Sequence, residues 1–259
     1  MDKDIDIDSS VESSVMYNSE NMKKDLFNET GISKKGVVPT FDTSTIDMPV
    51  IESHMYAKKP VYTFFKRFFD IFLSLLAIVG LSPLLLVTTM VVKFQDWGPV
   101  FFIQKRVGRN GKKFNMFKFR SMCIDAEEKI GELLDKNEAS GPMFKIKDDP
   151  RITPFGKFIR KTSIDELPQL FNILFGDMSI VGPRPALPRE ATQYEQSHKL
   201  RLLVKPGLTC YWQVSGRSKL GFEKQVELDK KYIEKRCLML DFVLILKTIP
   251  AVIKHDGAE

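Results

Sequence analysis

The 259-residue chain has few of the residues that mark disulfide or metal proteins. Its three cysteines, Cys123, Cys210 and Cys237, are scattered and show no CxxC spacing. Such a set argues against a disulfide framework or a zinc site and fits a reducing, cytosolic compartment. The three histidines, His54, His198 and His255, are just as dispersed and form no ligand cluster in the sequence. No apolar run begins at the N-terminus, so a cleavable signal peptide is not expected. Internal repeats and low-complexity tracts are absent. Acidic residues are scarce after residue 60, with 22 Asp/Glu against 32 Lys/Arg, whereas residues 1–60 hold 11 against 7. The body therefore carries +10 and the leader −4. A basic body suits anionic partners: nucleic acid, a phospholipid surface or phosphorylated substrates. No nucleic-acid motif is present, and the basic clusters flank an apolar segment, so no nucleic-acid partner is expected.

What is present divides the chain. Residues 1–55 are rich in Asp, Ser, Asn and Thr and lack a hydrophobic period, which predicts a disordered cytoplasmic leader over 1–60. Residues 71–92, IFLSLLAIVGLSPLLLVTTMVV, carry no charge. As one straight helix they would reach roughly 33 Å at 1.5 Å per residue, enough to cross a bilayer core. Ser82-Pro83 falls in the middle, and proline removes a helical hydrogen bond and bends the chain. Both flanks are basic, with Lys58, Lys59, Lys66 and Arg67 before and Lys93, Lys105, Arg106 and Arg109 after. The positive-inside tendency then gives no orientation. On charge and proline alone, a span and a re-entrant hairpin stand equal.

Beyond Trp97-Gly98-Pro99, VFFIQKRV and KFNMFKFR flank Gly108-Arg109-Asn110-Gly111, a strong hairpin signal that puts Lys118 and Arg120 on one polar strand face. Residues 124–137 read as a charged helix. Thr153-Pro154 supplies an N-cap and a first-turn proline for a helix through Lys161, with Phe155, Phe158 and Ile159 apolar and Lys157, Arg160 and Lys161 basic. Leu167, Leu170, Phe171, Leu174 and Phe175 form a helical stripe that Gly176 ends. Lys205-Pro206-Gly207 and Ser215-Gly216-Arg217 mark loops. Residues 222–235 read as a charged helix and 240–253 as an interfacial or core helix.

The chemistry concentrates in residues 160–185, RKTSIDELPQLFNILFGDMSIVGPRP. Clustered carboxylates such as Asp165-Glu166 can hold Mg²⁺, and an ionised one can act as a nucleophile. Arginines can grip phosphate through paired hydrogen bonds, and the prolines around Arg184 limit its freedom. Each feature has a plainer explanation. Ser163-x-x-Glu166 matches a capping box, and Asp165 could itself cap the next helix. Arg160 could belong to a solvated stripe, and Arg184 could be tied to a loop carbonyl.

Residues 62–257 resemble the bacterial sugar transferases that initiate exopolysaccharide, capsule and O-antigen synthesis, the monotopic phosphoglycosyl transferases. The matching stretches are KRFFDIFLS, Ser82-Pro83, PVFFIQKRVGRNGKKFNMFKFRSM, DDPRITPFGKFIRKTSIDELPQLFNILFGDMSIVGPRP, KPGLTCYWQVSGR and LDKKYIEKRCLMLD. The resemblance implies a mainly α fold with a small β-hairpin and amphipathic interfacial helices. It also implies a re-entrant helix over 61–95, broken at Ser82-Pro83, and a cytosolic catalytic domain over 96–259. The family's dyad falls on Asp165, as nucleophile and Mg²⁺ ligand (with Mn²⁺ as substitute), and on Glu166. Phosphate binding falls on Arg160 and is also expected of Arg184 and Lys118; Pro183 and Pro185 frame the turn. The implied donor is a nucleotide sugar, a UDP-hexose, and the acceptor is undecaprenyl phosphate. Anionic lipids, downstream glycosyltransferases and a second copy in a homodimer are the other expected partners. The expected place is the cytoplasmic face of the bacterial inner membrane. A catalytically inactive scaffold on the same fold is the alternative.

Overall fold

The computed structural model describes residues 59–126, 128, 129, 133, 146, 148–216 and 220–253. The expected leader up to residue 58, most of the expected 124–137 helix and Arg217 lie outside the described residues.

The apolar segment forms two helices, α1 (Pro60–Gly80) and α2 (Ser82–Asp96), bent by 64° at Leu81. Ser82 and Pro83 open α2, where a missing proline N–H leaves no helical bond unmade. The Ser82 hydroxyl donates to the Val79 carbonyl at 2.8 Å, satisfying an acceptor at the end of α1. Among the described residues no single helix is long and apolar enough to cross a membrane; the bent pair together has the length and composition to do so.

The expected hairpin is present. Strands β1 (Phe101–Val107) and β2 (Lys113–Phe119) run antiparallel, with Phe101 opposite Phe119 and Val107 opposite Lys113. Asn110 and Gly111 turn the loop with φ of 57° and 74°, the left-handed conformation these residues tolerate best. Next come α3 (Pro154–Lys161), a 3₁₀ turn (Ile164–Glu166) and α4 (Gln169–Phe175). The Thr153 hydroxyl accepts from the Gly156 N–H at 2.9 Å, the expected cap. Gly176, at φ 94°, ends α4.

The single hairpin was an incomplete expectation. A second sheet pairs β3 (Ser179–Val181) in parallel with β4 (Gly207–Thr209). Helices α5 (Pro188–Thr192), α6 (Phe222–Lys235) and α7 (Leu238–Ile253) complete the body. The helical stripe on α4 also needs correction. Leu170 and Ile173 are buried, but Phe171 and Phe175 are exposed, and the fully buried Asn172 takes a core position. Its amide donates to the Asn115 carbonyl at 2.7 Å and accepts from the Phe117 N–H at 2.9 Å, fastening α4 to β2.

Both arms of the bent pair are tied to this body. Arg67 on α1 donates to the carbonyls of Ile173 (2.5 Å) and Leu174 (2.8 Å), a cation on the C-terminal end of α4. Asp70 accepts from the Ser179 hydroxyl and the Ile180 N–H, each at 3.0 Å. Lys66, Tyr62 and Tyr232 all donate to Asp241 on α7 at 2.9 Å. At the far end, Asp96 of α2 pairs with Arg120, just past β2. The outward faces are apolar: Phe64, Phe68, Leu76 and Val79 on α1, Val87, Met90 and Phe94 on α2, and Met239 and Leu246 on α7 are all more than half exposed.

Candidate active site

Asp165 and Glu166 lie in the 3₁₀ turn between α3 and α4. Ser163 leads into it at φ 58°, a left-handed conformation that costs a non-glycine residue energy. This reversal lets the chain leave α3 and present the dyad before α4 begins. The capping explanation fails on geometry. Ser163 makes no side-chain cap bond, and α4 starts after Pro168, which has no side-chain cap either. Neither carboxylate is therefore used up on a helix terminus.

The two carboxylates occupy different settings. Asp165 is 7% exposed, and no side chain among the described residues hydrogen-bonds to it. Burial pushes its carboxyl up to about 6; Lys118 opposes this, neighbouring Glu166 adds to it, and Arg160 opposes it again. Glu166 accepts from the Lys118 ammonium at 2.8 Å. Partial burial raises Glu166, but the Lys118 charge and hydrogen bond, then Arg184 and Arg106, outweigh it and hold this carboxyl below its ordinary value. Adjacent acids with opposed shifts are suited to different roles.

The structure thus brings Asp165, Glu166 and Lys118 together, with Arg160 and Arg184 acting on them through their charge. Lys118 arrives from β2, whose register Asn172 fixes one residue earlier. Pro183 and Pro185 are buried, and their carbonyls hold the Arg184 turn in place. Pro183 accepts from the Gly207 N–H and Pro185 from Arg106 Nη1, each at 2.9 Å. The approach of this turn to β4 demands glycine, since a Cβ on Gly207 would sit 2.1 Å from the Gly182 nitrogen. Ser82 and Pro83 are exposed, and they shape the helix bend instead of supplying groups to the dyad.

Arg106 was overlooked as a site residue. It is buried and donates to Gln104 Oε1 through Nε (3.0 Å) and Nη2 (2.6 Å). Burial and then the Arg184 charge lower its pKa to about 10, while Glu190 and Glu166 act the other way. Glu190 accepts from the Leu187 N–H at 2.8 Å, which fixes the start of α5. Two neighbouring arginines beside the dyad have the chemistry to grip an anion. The alternation of Gln104 and Arg106 on one face of β1 was the available signal, masked by the other basic residues nearby.

No group of three or more His, Cys, Asp or Glu arranged to hold a metal occurs among the described residues. Mg²⁺ does not require one, because it is commonly held by one or two carboxylates together with substrate phosphates and water. A buried Asp165 to which no other side chain among the described residues hydrogen-bonds, next to Glu166, fits that donor set.

Comparison with known proteins identifies the family. The family model described as bacterial sugar transferase matches residues 61–255. The chain is 48% identical over 197 residues to the galactosyl transferase CpsE of Streptococcus agalactiae, covering 75% of this chain and 43% of CpsE. It is 40% identical over 206 residues to the exopolysaccharide production protein ExoY of Sinorhizobium fredii, covering 78% of this chain and 91% of ExoY. It is 44% identical over 199 residues to the undecaprenyl-phosphate galactose phosphotransferase of Salmonella typhimurium, covering 75% of this chain and 42% of that protein. The match thus spans less than half the length of two of these relatives and nearly all of the third. By the extent of the family match and the near-complete alignment with ExoY, the chain belongs to the bacterial sugar transferase family.

Proposed function

We propose that the protein transfers a sugar-1-phosphate from a UDP-hexose to undecaprenyl phosphate, through a covalent phosphosugar intermediate on Asp165, and so initiates a surface glycan. The observation that carries this reading is a buried Asp165 to which no other side chain among the described residues hydrogen-bonds, beside a Glu166 held by Lys118 and within the field of Arg160, Arg184 and Arg106. Relatives named undecaprenyl-phosphate galactose phosphotransferase and UDP-galactose-lipid carrier transferase support the class of donor and acceptor.

In the first step an Asp165 carboxylate oxygen attacks the sugar-bearing phosphorus. The phosphorus–oxygen bond to the nucleoside monophosphate breaks, and that oxygen leaves with the electron pair. In the second step an oxygen of the lipid phosphate attacks the same phosphorus, and the bond to Asp165 breaks to return a carboxylate. No net proton is needed. The cationic side chains draw the diphosphate to the dyad and offset its repulsion from Asp165. Glu166, fixed by Lys118, orients Asp165 or a nearby water. Asp165, with Glu166 beside it, would hold Mg²⁺ or Mn²⁺, and the bound ion would screen the diphosphate charge.

The bent pair α1–α2 is proposed as a re-entrant membrane insertion at the cytoplasmic face of the inner membrane. Its exposed apolar faces, and the attachment of both arms to one body through Arg67, Asp70 and Asp96, support that reading. The activity is tested with a panel of UDP-sugars, undecaprenyl phosphate and Mg²⁺, scoring UMP release. Release with at least one UDP-hexose, lost in Asp165→Asn, is the expected result. No release with any donor would favour an inactive scaffold.

A further inference from the structure

Three arginines are buried among the described residues: Arg106, Arg151 and Arg201. Two of them are neutralised. Arg151 pairs with Asp149 and Arg201 with Asp229, each at 2.6 Å. Arg106 has no carboxylate partner among the described residues. Gln104 Oε1 accepts from its Nε and Nη2, and the Pro185 carbonyl accepts from Nη1. Both acceptors are neutral. Glu190 and Glu166 reach Arg106 only through their charge. Glu190 is held by the Leu187 N–H and Glu166 by the Lys118 ammonium, each at 2.8 Å. A buried cation without a carboxylate is costly, and such charges are normally paired.

The guanidinium is braced but not saturated. Gln104 and Pro185 leave one N–H on each terminal nitrogen with no acceptor among the described residues. Arg106 is 7% exposed, the same as Asp165, so burial does not set it apart from the nucleophile. Its anchor on Pro185 puts it beside Arg184, and the two like charges repel. An anion held by both would offset the repulsion and supply the missing pair. The arginines also divide by the carboxylate they act on. Arg160 acts on Asp165, whereas Arg184 and Arg106 act on Glu166. Arg160 thus serves the attacked phosphorus, and the other two are left for the far end of the diphosphate.

We infer that Arg106, together with Arg184, grips the phosphate that leaves with the nucleoside, and that Gln104 is the positioning residue that fixes the Arg106 fork without neutralising it. The inference rests on the function proposed above and adds a leaving-group site to it. As the phosphorus–oxygen bond breaks, its electron pair goes to an oxygen of the nucleoside monophosphate. Negative charge grows there, and a fork already in place stabilises it. A carboxylate at position 104 would brace Arg106 equally well but would cancel the charge the ligand needs.

The test uses that difference. Gln104→Glu changes the amide for a carboxylate of the same shape. Binding of UMP and of uridine to the purified protein is measured by calorimetry, and Tm by thermal unfolding. In Gln104→Glu the Kd for UMP should rise about tenfold or more and that for uridine less than twofold, with a Tm no lower than wild type. Arg106→Lys keeps the charge but loses the fork, and should weaken UMP selectively as well. Lys105→Gln, at the exposed next position of β1, makes the same change in net charge as Gln104→Glu and should match wild type with both ligands. UMP binding within twofold of wild type in Gln104→Glu would make the pair a structural brace and overturn the inference. Equal weakening of UMP and uridine, or an equal effect of Lys105→Gln, would overturn it too. Should Gln104→Glu fail to fold, the ratio of UMP to uridine affinity in Arg106→Lys decides by the same criteria. Wild-type protein that binds UMP more tightly than uridine, yet releases none from any UDP-hexose, would instead overturn the functional reading.

Discussion

Burial gives Asp165 an energetic signature of its own. Burial raises its carboxyl from 3.8 to about 6, so the folded chain binds this proton more tightly than the unfolded one. Its contribution to stability is therefore fully present below pH 3.8 and lost as pH rises through about 6. Above that, in metal-free buffer, the ionised group costs the fold on the order of 1–3 kcal/mol. Asp165→Asn removes both the cost and the nucleophile. Thermal unfolding in EDTA at neutral pH should give a higher Tm for the variant, while UMP release should fall by about 10³-fold or more. A lower Tm would show that the carboxylate is stabilised by contacts other than those described. For the wild type, kcat/KM for the donor should fall as the pH drops through the carboxylate range, because only the anion attacks. Lys118→Met should also impair turnover, by about 10–100-fold, because it frees Glu166 from its 2.8 Å partner. Unchanged kinetics in that variant would make the pair a surface bridge of no catalytic consequence.

Asn172 works at the scale of elements. It spends its amide on the backbone of β2, so Asn172→Ala leaves the Phe117 N–H and the Asn115 carbonyl without that partner, at about 1–3 kcal/mol. The drop should appear in thermal or denaturant unfolding, with a fall in activity, because the register of β2 sets the position of Lys118. Gly207→Ala should be worse, since its Cβ would meet the Gly182 backbone at 2.1 Å, whereas Gly80→Ala faces open space and should leave Tm nearly unchanged. Equal effects of the two glycine substitutions would contradict the close approach of β3 to β4. These elements also show what a sequence can reveal. The Thr153 cap, the Gly176 stop and the Asn110-Gly111 turn were legible because each depends on local backbone chemistry. The β3–β4 pair was not, because three-residue strands have no measurable period. The α4 stripe was misread for another reason. Phe171 and Phe175 have the spacing of core residues, but the same spacing serves a face turned away from the body, and periodicity does not say what covers it. At the site, Asp165, Glu166, Arg160 and Arg184 stood out by clustering in one stretch of sequence. Arg106 did not, because its burial depends on the Pro185 carbonyl 79 residues away.

At the scale of the whole molecule, the bent pair and the body act as one unit. Arg67 grips the end of the helix that follows the dyad, and Asp96 holds the residue that follows β2. On the proposed re-entrant reading, a bend that returns the chain to the same body would keep the leader and the dyad on one side of the membrane. Cysteines introduced at Ser10 and at exposed Glu195, in a background lacking the native three, should both resist a membrane-impermeant thiol reagent until cells are opened. Labelling of the Ser10 site in intact cells would mean a full span. Replacing Ser82-Pro83 with Leu-Leu straightens the segment and should expose that site. The central claim is that Asp165 takes up the sugar phosphate, and intact-protein mass spectrometry tests it most directly. Purified protein mixed with UDP-hexose and Mg²⁺ in the absence of acceptor should gain the mass of one hexose phosphate, release one UMP, map to Asp165 on fragmentation, and lose the adduct when undecaprenyl phosphate is added. UMP release without an adduct, or an adduct on Glu166, would contradict the account.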